Sequence, residues 1–487
     1  MRRTEEEKVP LLVTPCPGLY YSTIAQDGII YRLRIPGGII NHQQLLTIAD
    51  IADNYGQKYI NITNRANIQI REVHQEIDLP TLAKLQQLGL GSINYQIDHI
   101  RNIMTSPIAG IDSEEIINTL PFVEGWDNYI TENSHLGELS AKFSICFDGK
   151  GAISLINQLN DITLLAEIIN DQIYFRLYLS YGEKRQPPQD TGILFPVEKY
   201  LQVLGVLANT YLENIDITQQ RKTRLREVIN NIGLGEYLKS LNFLQPYPLQ
   251  IASSENLTFR QQKHLGIHPQ KQPGLYYLGV VLPLGKLETW QLRGLINVSQ
   301  EYDHHLTNNF RLTPWQNLLI TDIPGDKIRE FNTEITNLGL TTNPKNIKSH
   351  LVACAGRKGC NSAHTEANID ALMLAEYLEN KTNLTIDFPI NIHFSGCSKS
   401  CAQHTEGDIT LIGVTLAESE ETTVNEPSYQ IYICGRLLYE CVSCYKIPYL
   451  MTKMLEVYQN QRFSYDESFR EFTLRYTTDQ LNQLLVN

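Results

Sequence analysis

At 487 residues the chain has the length for roughly two to four domains, each able to bury a core of its own. Its 53 acidic residues against 41 basic ones give a formal charge of −12, which disfavours non-specific binding to nucleic acid or to an acidic membrane surface. No stretch approaches the roughly eighteen consecutive apolar residues of a membrane span, and the N-terminal MRRTEEEKVP holds no apolar run that could act as an export signal. The sequence therefore predicts a soluble, cytoplasmic protein that binds neither nucleic acid nor membrane.

Taken in chain order, Ile29 to Arg34 (IIYRLR) alternates as a strand does, Pro36-Gly37-Gly38 marks a turn, and Gln43 to Tyr55 has helical periodicity. Tyr59 to Arg71 (YINITNRANIQIR) reads as the next strand. About 250 residues later the order recurs. Tyr276 to Leu282 reads as a strand, Pro283-Leu284-Gly285 as a turn, Leu287 to Tyr302 as a helix, and Leu312 to Ile320 (LTPWQNLLI) as a strand. Thr63, Asn67 and Ile70 match Thr313, Asn317 and Ile320, whereas Arg65 is replaced by Trp315. Such a β-turn-α-β unit is half of a ferredoxin-like sandwich, and two copies complete each other about a pseudo-twofold axis. A charge kept by one copy and lost by the other is what a single off-centre site on a duplicated scaffold requires.

A larger α/β segment follows each unit. The predicted organisation is a first half-domain over 12–110, an α/β domain over 120–250, a second half-domain over 260–335 and a second α/β domain over 345–480. The first α/β segment has a single cysteine, Cys146, in the strand-like KFSICF. Arg221 to Tyr237 reads as a helix closed by a glycine, suited to connect the two halves.

The second α/β segment carries the strongest chemical signal. Cys354 and Cys360 in CAGRKGC and Cys397 and Cys401 in SGCSKSC form two arms separated by 36 residues, with glycine beside a thiolate in each. Four soft ligands on two loops suit one [4Fe–4S] cluster. Two disulfides fit poorly with nine cysteines and no export signal. A structural zinc site is the stronger competitor, but zinc arms usually place their cysteines about two to four residues apart, closer than the five-residue gap of the first arm. Cys434, Cys441 and Cys444 lack a nearby fourth ligand and read as buried or incidental thiols. Asp303-His304-His305 reads as an ordinary polar loop.

RLRIPGG, TNRANIQIR, CAGRKGC and SGCSKSCAQH, in this order and at these separations, resemble the nitrite and sulfite reductase family. The resemblance spans the chain from about Cys16 to the mid-400s. It implies an α+β fold of duplicated ferredoxin-like half-domains and two α/β reductase-type domains around a pseudo-twofold axis, enclosing sirohaem and a [4Fe–4S] cluster. Carried over by residue, Cys354, Cys360 and Cys397 would ligate the cluster, and Cys401 would bridge it to the tetrapyrrole iron. Arg32, Arg101 and Lys142 would act on the substrate, and Arg34 and Arg65 would hold the macrocycle, because its carboxylates or a small oxyanion must be neutralised in a low-dielectric cleft. Arg34, two residues beyond Arg32, is expected on the same face.

Within this family, sulfite reductases have a second lysine two residues after the first, where this chain has Ser144. CPGLYY at Cys16 to Tyr21, TNRANIQIR and the GC-x-K-x-CA-x-H arrangement at Gly396 to His404 look most like precorrin-3B synthases of the cobalamin pathway. That resemblance implies an iron–sulfur monooxygenase that hydroxylates precorrin-3A at C20 with dioxygen and closes a lactone. An additional non-haem iron would then be needed, with His364, His393, His404, Glu366 and Asp408 as candidate ligands. A sirohaem-dependent ferredoxin nitrite or sulfite reductase is the alternative, and a non-catalytic tetrapyrrole- or cluster-binding homologue is a third. Without a dinucleotide fingerprint in the sequence, electrons are expected from a separate donor protein.

Overall fold

The structure, a computed structural model, describes residues 17–219, 221–242, 263–302, 310–381, 384, 389–415 and 426–486. The first half-domain runs β1 (Thr23–Ala25), β2 (Gly28–Leu33), β3 (Ile39–Ile40), α1 (His42–Tyr55), β4 (Tyr59–Ile62), β5 (Ile68–Val73) and α2 (Leu79–Gln87). An α/β segment follows: β6 (Ile103–Thr105), α3 (Leu120–Glu132), β7 (Ile145–Asp148), β8 (Ile162–Ile169), β9 (Gln172–Leu179), β10 (Gln189–Pro196), α4 (Tyr200–Glu213), α5 (Leu225–Ile232) and α6 (Leu234–Leu238). The second half-domain comprises β11 (Gly266–Pro269), β12 (Leu275–Val280), β13 (Lys286–Glu288), α7 (Thr289–Tyr302), β14 (Phe310–Leu312), β15 (Leu318–Pro324) and α8 (Ile328–Asn337). Last come β16 (Leu351–Ala353), α9 (Gly356–Gly359), α10 (Ala367–Glu379), β17 (Ile392–Ser395), β18 (Ile409–Val414), β19 (Ser428–Ile433), β20 (Arg436–Ser443), α11 (Ile447–Gln461), α12 (Phe469–Leu474) and α13 (Thr478–Val486). The chain divides into two compact units, one of Met1–Ile24, Ile29–Gly279 and Leu287–Leu338, the other of Ala25–Gly28, Val280–Lys286 and Gly339–Asn487.

In the first unit the two half-domains exchange strands. One sheet has the order β1-β2-β5-β4-β13 and the other β11-β12-β15-β14-β3, so each half lends a short strand to the edge of its counterpart. The register on one side places Phe310 opposite Ile40 and Arg311 opposite Ile39. Behind the sheets α1 meets α7, where Arg293 binds Asp50 and Asp53 at 2.8 Å each and His42 Nε2 lies 3.2 Å from the Ser299 hydroxyl. A lone half would leave its sheet edge and its helix face open to solvent, so each copy depends on the other.

The two stretches expected as single strands, Tyr59 to Arg71 and Leu312 to Ile320, are instead hairpins. In each, a threonine amide bonds the asparagine carbonyl four residues on, at 2.9 Å for Thr63 and 3.0 Å for Thr313. The threonine hydroxyl then accepts from the amide of Asn67 or Asn317 at 3.2 and 3.0 Å. Ala66 and Gln316 take the left-handed φ of 51° and 62° that closes the turn. Two further expectations are corrected. Leu287 belongs to β13, and the helix begins at Thr289. Arg221 to Tyr237 is not one connecting helix: Gly233, at φ 89°, separates α5 from α6, and Leu225, Val228, Ile229 and Tyr237 are buried in the core of the first α/β segment.

The two α/β segments share a topology that their sequences hide. In one, β6, β7 and β8 are parallel and β9 and β10 antiparallel; in the other, β16, β17 and β18 are parallel and β19 and β20 antiparallel. The shared register aligns Ile145-Cys146-Phe147-Asp148-Gly149-Lys150 with Ile392-His393-Phe394-Ser395-Gly396-Cys397. Each sheet is covered by its own buried core, built around Trp126, Phe147, Phe175 and Tyr211 in the first segment and around Phe394, Tyr429, Met451 and Phe472 in the second. The fold is thus the mixed α+β architecture of duplicated half-domains expected from the sequence.

Matching the two half-domains at PGG and PLG puts Gly279 where the first copy has Arg32. A Cβ on Gly279 would stand 2.1 Å from the His264 carbonyl oxygen and 2.6 Å from Leu265 Cα, and neither backbone atom can yield easily. Gly279→Ala should therefore destabilise the chain by about 1–3 kcal/mol, the usual cost of overpacking, measured as a lower midpoint in denaturant unfolding.

Candidate active site

The four cysteines stand at the C-terminal ends of two adjacent parallel strands. Cys354 follows β16 directly, and Cys397 follows β17 after Gly396; Cys360 and Cys401 lie on the loops that continue from them. The arms are tied together by backbone hydrogen bonds: Cys354 N–H to the Phe394 carbonyl at 3.2 Å and His364 N–H to the Gly396 carbonyl at 2.7 Å. Gly396 N–H also donates to Cys354 Sγ at 3.1 Å. Gly396 is required here, since a Cβ would come within 2.6 Å of the Ala363 Cβ on the other arm.

Cys401 lies within electrostatic reach of the other three sulfurs. Burial, and then Cys397, Cys354 and Cys360 in that order, push the Cys401 thiol above its ordinary value. Four thiols so placed resist joint ionisation, and an iron–sulfur core, which supplies positive charge to each sulfur, relieves that repulsion. Cys401 is exposed and the other three are half-buried. Among the described residues no group of three or more His, Cys, Asp or Glu side chains is drawn close enough to hold a single metal ion.

The basic residues are organised in the other unit, around Asn102. This buried amide donates to the carbonyls of His99 (3.1 Å), Ala141 (3.3 Å) and Phe143 (3.3 Å), gripping the loop on both sides of Lys142. Its oxygen accepts from Arg34 Nε at 3.3 Å and from Asn67 Nδ2 at 3.4 Å, which ties in the hairpin bearing Arg65. Arg65 Nη1 reaches Asn160 Oδ1 (2.8 Å) and Ser144 Oγ (3.2 Å). Arg101, next to Asn102, binds both Asp127 oxygens at 2.8 and 2.9 Å, and although burial opposes its charge, Asp127 and then Asp98 hold the guanidinium protonated. Arg34 and Arg101 share Asp98, at 3.9 and 3.7 Å, and each leaves its Nη1 buried without a hydrogen-bond acceptor. Two orphaned guanidinium donors fit a site built for an anionic group.

Arg34 does not share the setting of Arg32. Arg32 is half-buried beside Gln69, whose amide oxygen, turned toward it, accepts from Nε (3.1 Å) and Nη2 (2.6 Å). Arg34 lies just past the end of β2 and is wholly enclosed with Asp98 and Asn102. Lys142 is exposed, whereas Ser144 is buried and also engages Asp161. Trp315, the counterpart of Arg65, stacks on His264 at 4.3 Å, filling the matching place with an aromatic pair. Asn102 and Asn160 belong to the ordinary dipeptides Arg101-Asn102 and Asn160-Asp161, and no spacing in the sequence marks them, Asp98 or Asp127 as partners of these arginines.

The candidate ligands for a separate iron are not assembled. His393 is buried in the middle of β17, His364 pairs with Thr415 at 2.8 Å, Glu366 with Arg357 at 3.4 Å, and Asp408 accepts from the Asn391 amide at 2.9 Å. His404 is exposed. Cys434 lies against the Thr473 hydroxyl, Cys444 packs on the core and Cys441 is exposed, in keeping with incidental thiols. Cys16 and Asp303-His304-His305 lie outside the described residues.

Comparison with known proteins places these features in a family. The family model for the nitrite/sulfite reductase ferredoxin-like half domain matches residues 24–86 and 268–338, the two strand-exchanging copies. The model for the nitrite and sulphite reductase 4Fe-4S domain matches 96–244, the α/β segment that lacks the cysteine arms. The two matches together span more than half of the chain. Relatives include a ferredoxin–nitrite reductase of Synechococcus elongatus, 27% identical over 456 residues that cover 90% of this chain and 88% of the relative. A ferredoxin sulfite reductase of Mycolicibacterium paratuberculosis is 26% identical over 423 residues, 83% of this chain and 73% of its own length. Among solved structures, the NirA protein of Mycobacterium tuberculosis superposes with a TM-score of 0.75 at 19% identity over 93% of this chain and 84% of that one, a likeness of fold. With the duplicated half-domains, the paired α/β sheets and both family models in agreement, the chain belongs to the nitrite and sulfite reductase family.

Proposed function

We propose that this oxidoreductase reduces nitrite, using a sirohaem and a [4Fe–4S] cluster that Cys354, Cys360, Cys397 and Cys401 would hold. The sirohaem would supply the iron that takes the substrate, and the cluster would supply electrons one at a time. The chain's own residues have three tasks. Arg32 and Arg34 would neutralise carboxylates of the macrocycle. Arg65 and Arg101 would hold the oxyanion in a fixed orientation, their guanidinium planes set by Asn160, Ser144 and Asp127. Lys142, gripped on both flanks by Asn102, would present an ammonium proton to the oxygen that leaves as water.

The observation that carries nitrite over sulfite is Ser144. A second lysine at this position would add a full positive charge next to Arg65; the buried serine hydroxyl instead bonds Arg65 and Asp161. One cation fewer suits a singly charged oxyanion better than a doubly charged one. A ferredoxin is the proposed electron donor, in line with the names of the relatives. The acidic surplus of the whole chain would repel such a protein, but exposed Arg357, Lys358 and Lys399 beside the cysteines offer a local basic approach.

The motif form from Gly396 to His404 favours a second reading, in which the same pocket takes precorrin-3A as substrate and dioxygen as oxidant. The named relatives support the reductase more strongly. The discriminating assay supplies dithionite-reduced viologen and nitrite under anaerobic conditions. Nitrite-dependent oxidation of the viologen with ammonia as product is expected; no turnover of nitrite by cluster-loaded protein would overturn the proposal.

Two substitutions probe the assignments. Cys401→Ser should abolish the broad visible absorption of the cluster and its iron content, and a full complement of iron in this variant would refute the ligand set. Arg65→Lys keeps the charge but cannot bridge Asn160 and Ser144 together. With the cation no longer held in one orientation, kcat/KM for nitrite should fall about 10- to 100-fold, and the loss of one charge-assisted hydrogen bond, about 1.5–3 kcal/mol, should also lower the unfolding midpoint.

A further inference from the structure

We infer that Lys399 is a positioning residue for the cluster's redox chemistry: it latches the two cysteine arms together and its ammonium raises the reduction potential of the cluster they hold. The inference rests on the four-cysteine cluster proposed above and not on which anion is reduced.

The latch is a single contact with favourable placement. Lys399 lies midway between Cys397 and Cys401 on one arm, and its Nζ donates to the hydroxyl of Ser362, two residues past Cys360 on the other arm, at 2.7 Å. All four cysteine positions therefore lie on the two loops that this bond joins. The other ties between the arms lie at their base beside the strands, through His364 N–H to the Gly396 carbonyl and Gly396 N–H to Cys354 Sγ. Ser400, next to Lys399, adopts a left-handed φ of 51°, a conformation costly for a residue with a side chain unless its surroundings hold it in place.

The charge of Lys399 is also differently disposed from that of its neighbour. Arg357, on the first arm, is answered by Glu366 at 3.4 Å. Lys399 is met by a neutral hydroxyl, and no carboxylate pairs with it among the described residues. Its positive field, borne midway between Cys397 and Cys401, therefore acts on the cysteine arms. Reduction moves one electron from a one-electron donor onto the cluster. No bond forms or breaks, and the cluster with its thiolates becomes one unit more negative. A nearby uncompensated cation stabilises that reduced state more than the oxidised one, which is a positive shift in potential. Because Lys399 is exposed, the effect is screened by salt.

The test is a redox titration of the holoprotein followed by electron paramagnetic resonance of the reduced cluster, with iron and sulfide content determined on each sample. Lys399→Met should keep wild-type iron and sulfide and titrate at a more negative potential, by an amount that shrinks as ionic strength rises; Lys399→Arg should titrate close to wild type. Ser362→Ala, which releases the ammonium without removing it, should give a negative shift smaller than that of Lys399→Met, and it decides the matter if the methionine variant fails to load. Equal potentials in the wild type and the variants that load would overturn the inference while leaving the cluster in place. Absence of iron and sulfide from the wild type would instead overturn the cluster on which it rests.

Discussion

Four thiols brought to the ends of two neighbouring parallel strands are costly to ionise together unless something positive sits among them. Burial, and then Cys397, Cys354 and Cys360, push the Cys401 thiol above its ordinary value. The local architecture accommodates this arrangement at several points. Gly396 lets the arms approach, its amide donates to Cys354, and Lys399 closes the outer end through Ser362. An iron–sulfur core converts the repulsion into bonding, so metal loading and the stability of this segment are linked.

The duplication explains why chemistry is confined to one copy of each module. In the half-domains the same hairpin, with the same threonine and asparagine hydrogen bonds, presents Arg65 in one copy and Trp315 in the other. Arg65 finds Asn160 and Ser144; Trp315 finds His264, buried and driven down to a pKa of about 3 by desolvation, hence neutral and suited to stacking. In the α/β segments, the strand that leads to Gly396 and Cys397 corresponds to one that leads to Gly149 and Lys150. There Asp148 organises the loop itself, accepting from Lys150, Ser154 and Leu155 at 2.9, 2.6 and 2.7 Å. A loop that satisfies its own hydrogen bonds needs no cluster. The copy without such a carboxylate has cysteines instead.

Much of this was legible in the sequence because it depends on residue types at short spacing. The cysteine arms, the repeated strand-turn-helix units and the mixed α+β fold are of that kind. The hairpins were not legible: TNRAN and TPWQN continue the alternation of their flanks, and the turn is closed by Ala66 and Gln316, neither a residue that announces a left-handed conformation. Arg221 to Tyr237 reads as one helix closed by a glycine, and the pattern on either side of Gly233 could not reveal that α5 and α6 pack into the α/β core. Most of the basic site was hidden for another reason. Asn102, Asn160 and Asp98 take their parts through contacts with residues distant in the sequence, and Arg34 differs from Arg32 because the strand ends between them and Asp98 is buried beside it. No periodicity encodes such contacts.

The central claim is that the four-cysteine cluster works with a tetrapyrrole that is resident in the protein and not consumed by it. Its most direct test is to purify the chain without oxygen, record the visible spectrum and extract the pigment. The account predicts sirohaem in about equal amount to the chain, alongside a [4Fe–4S] cluster. Cluster-bearing protein that yields no pigment and consumes dioxygen when given precorrin-3A would contradict it.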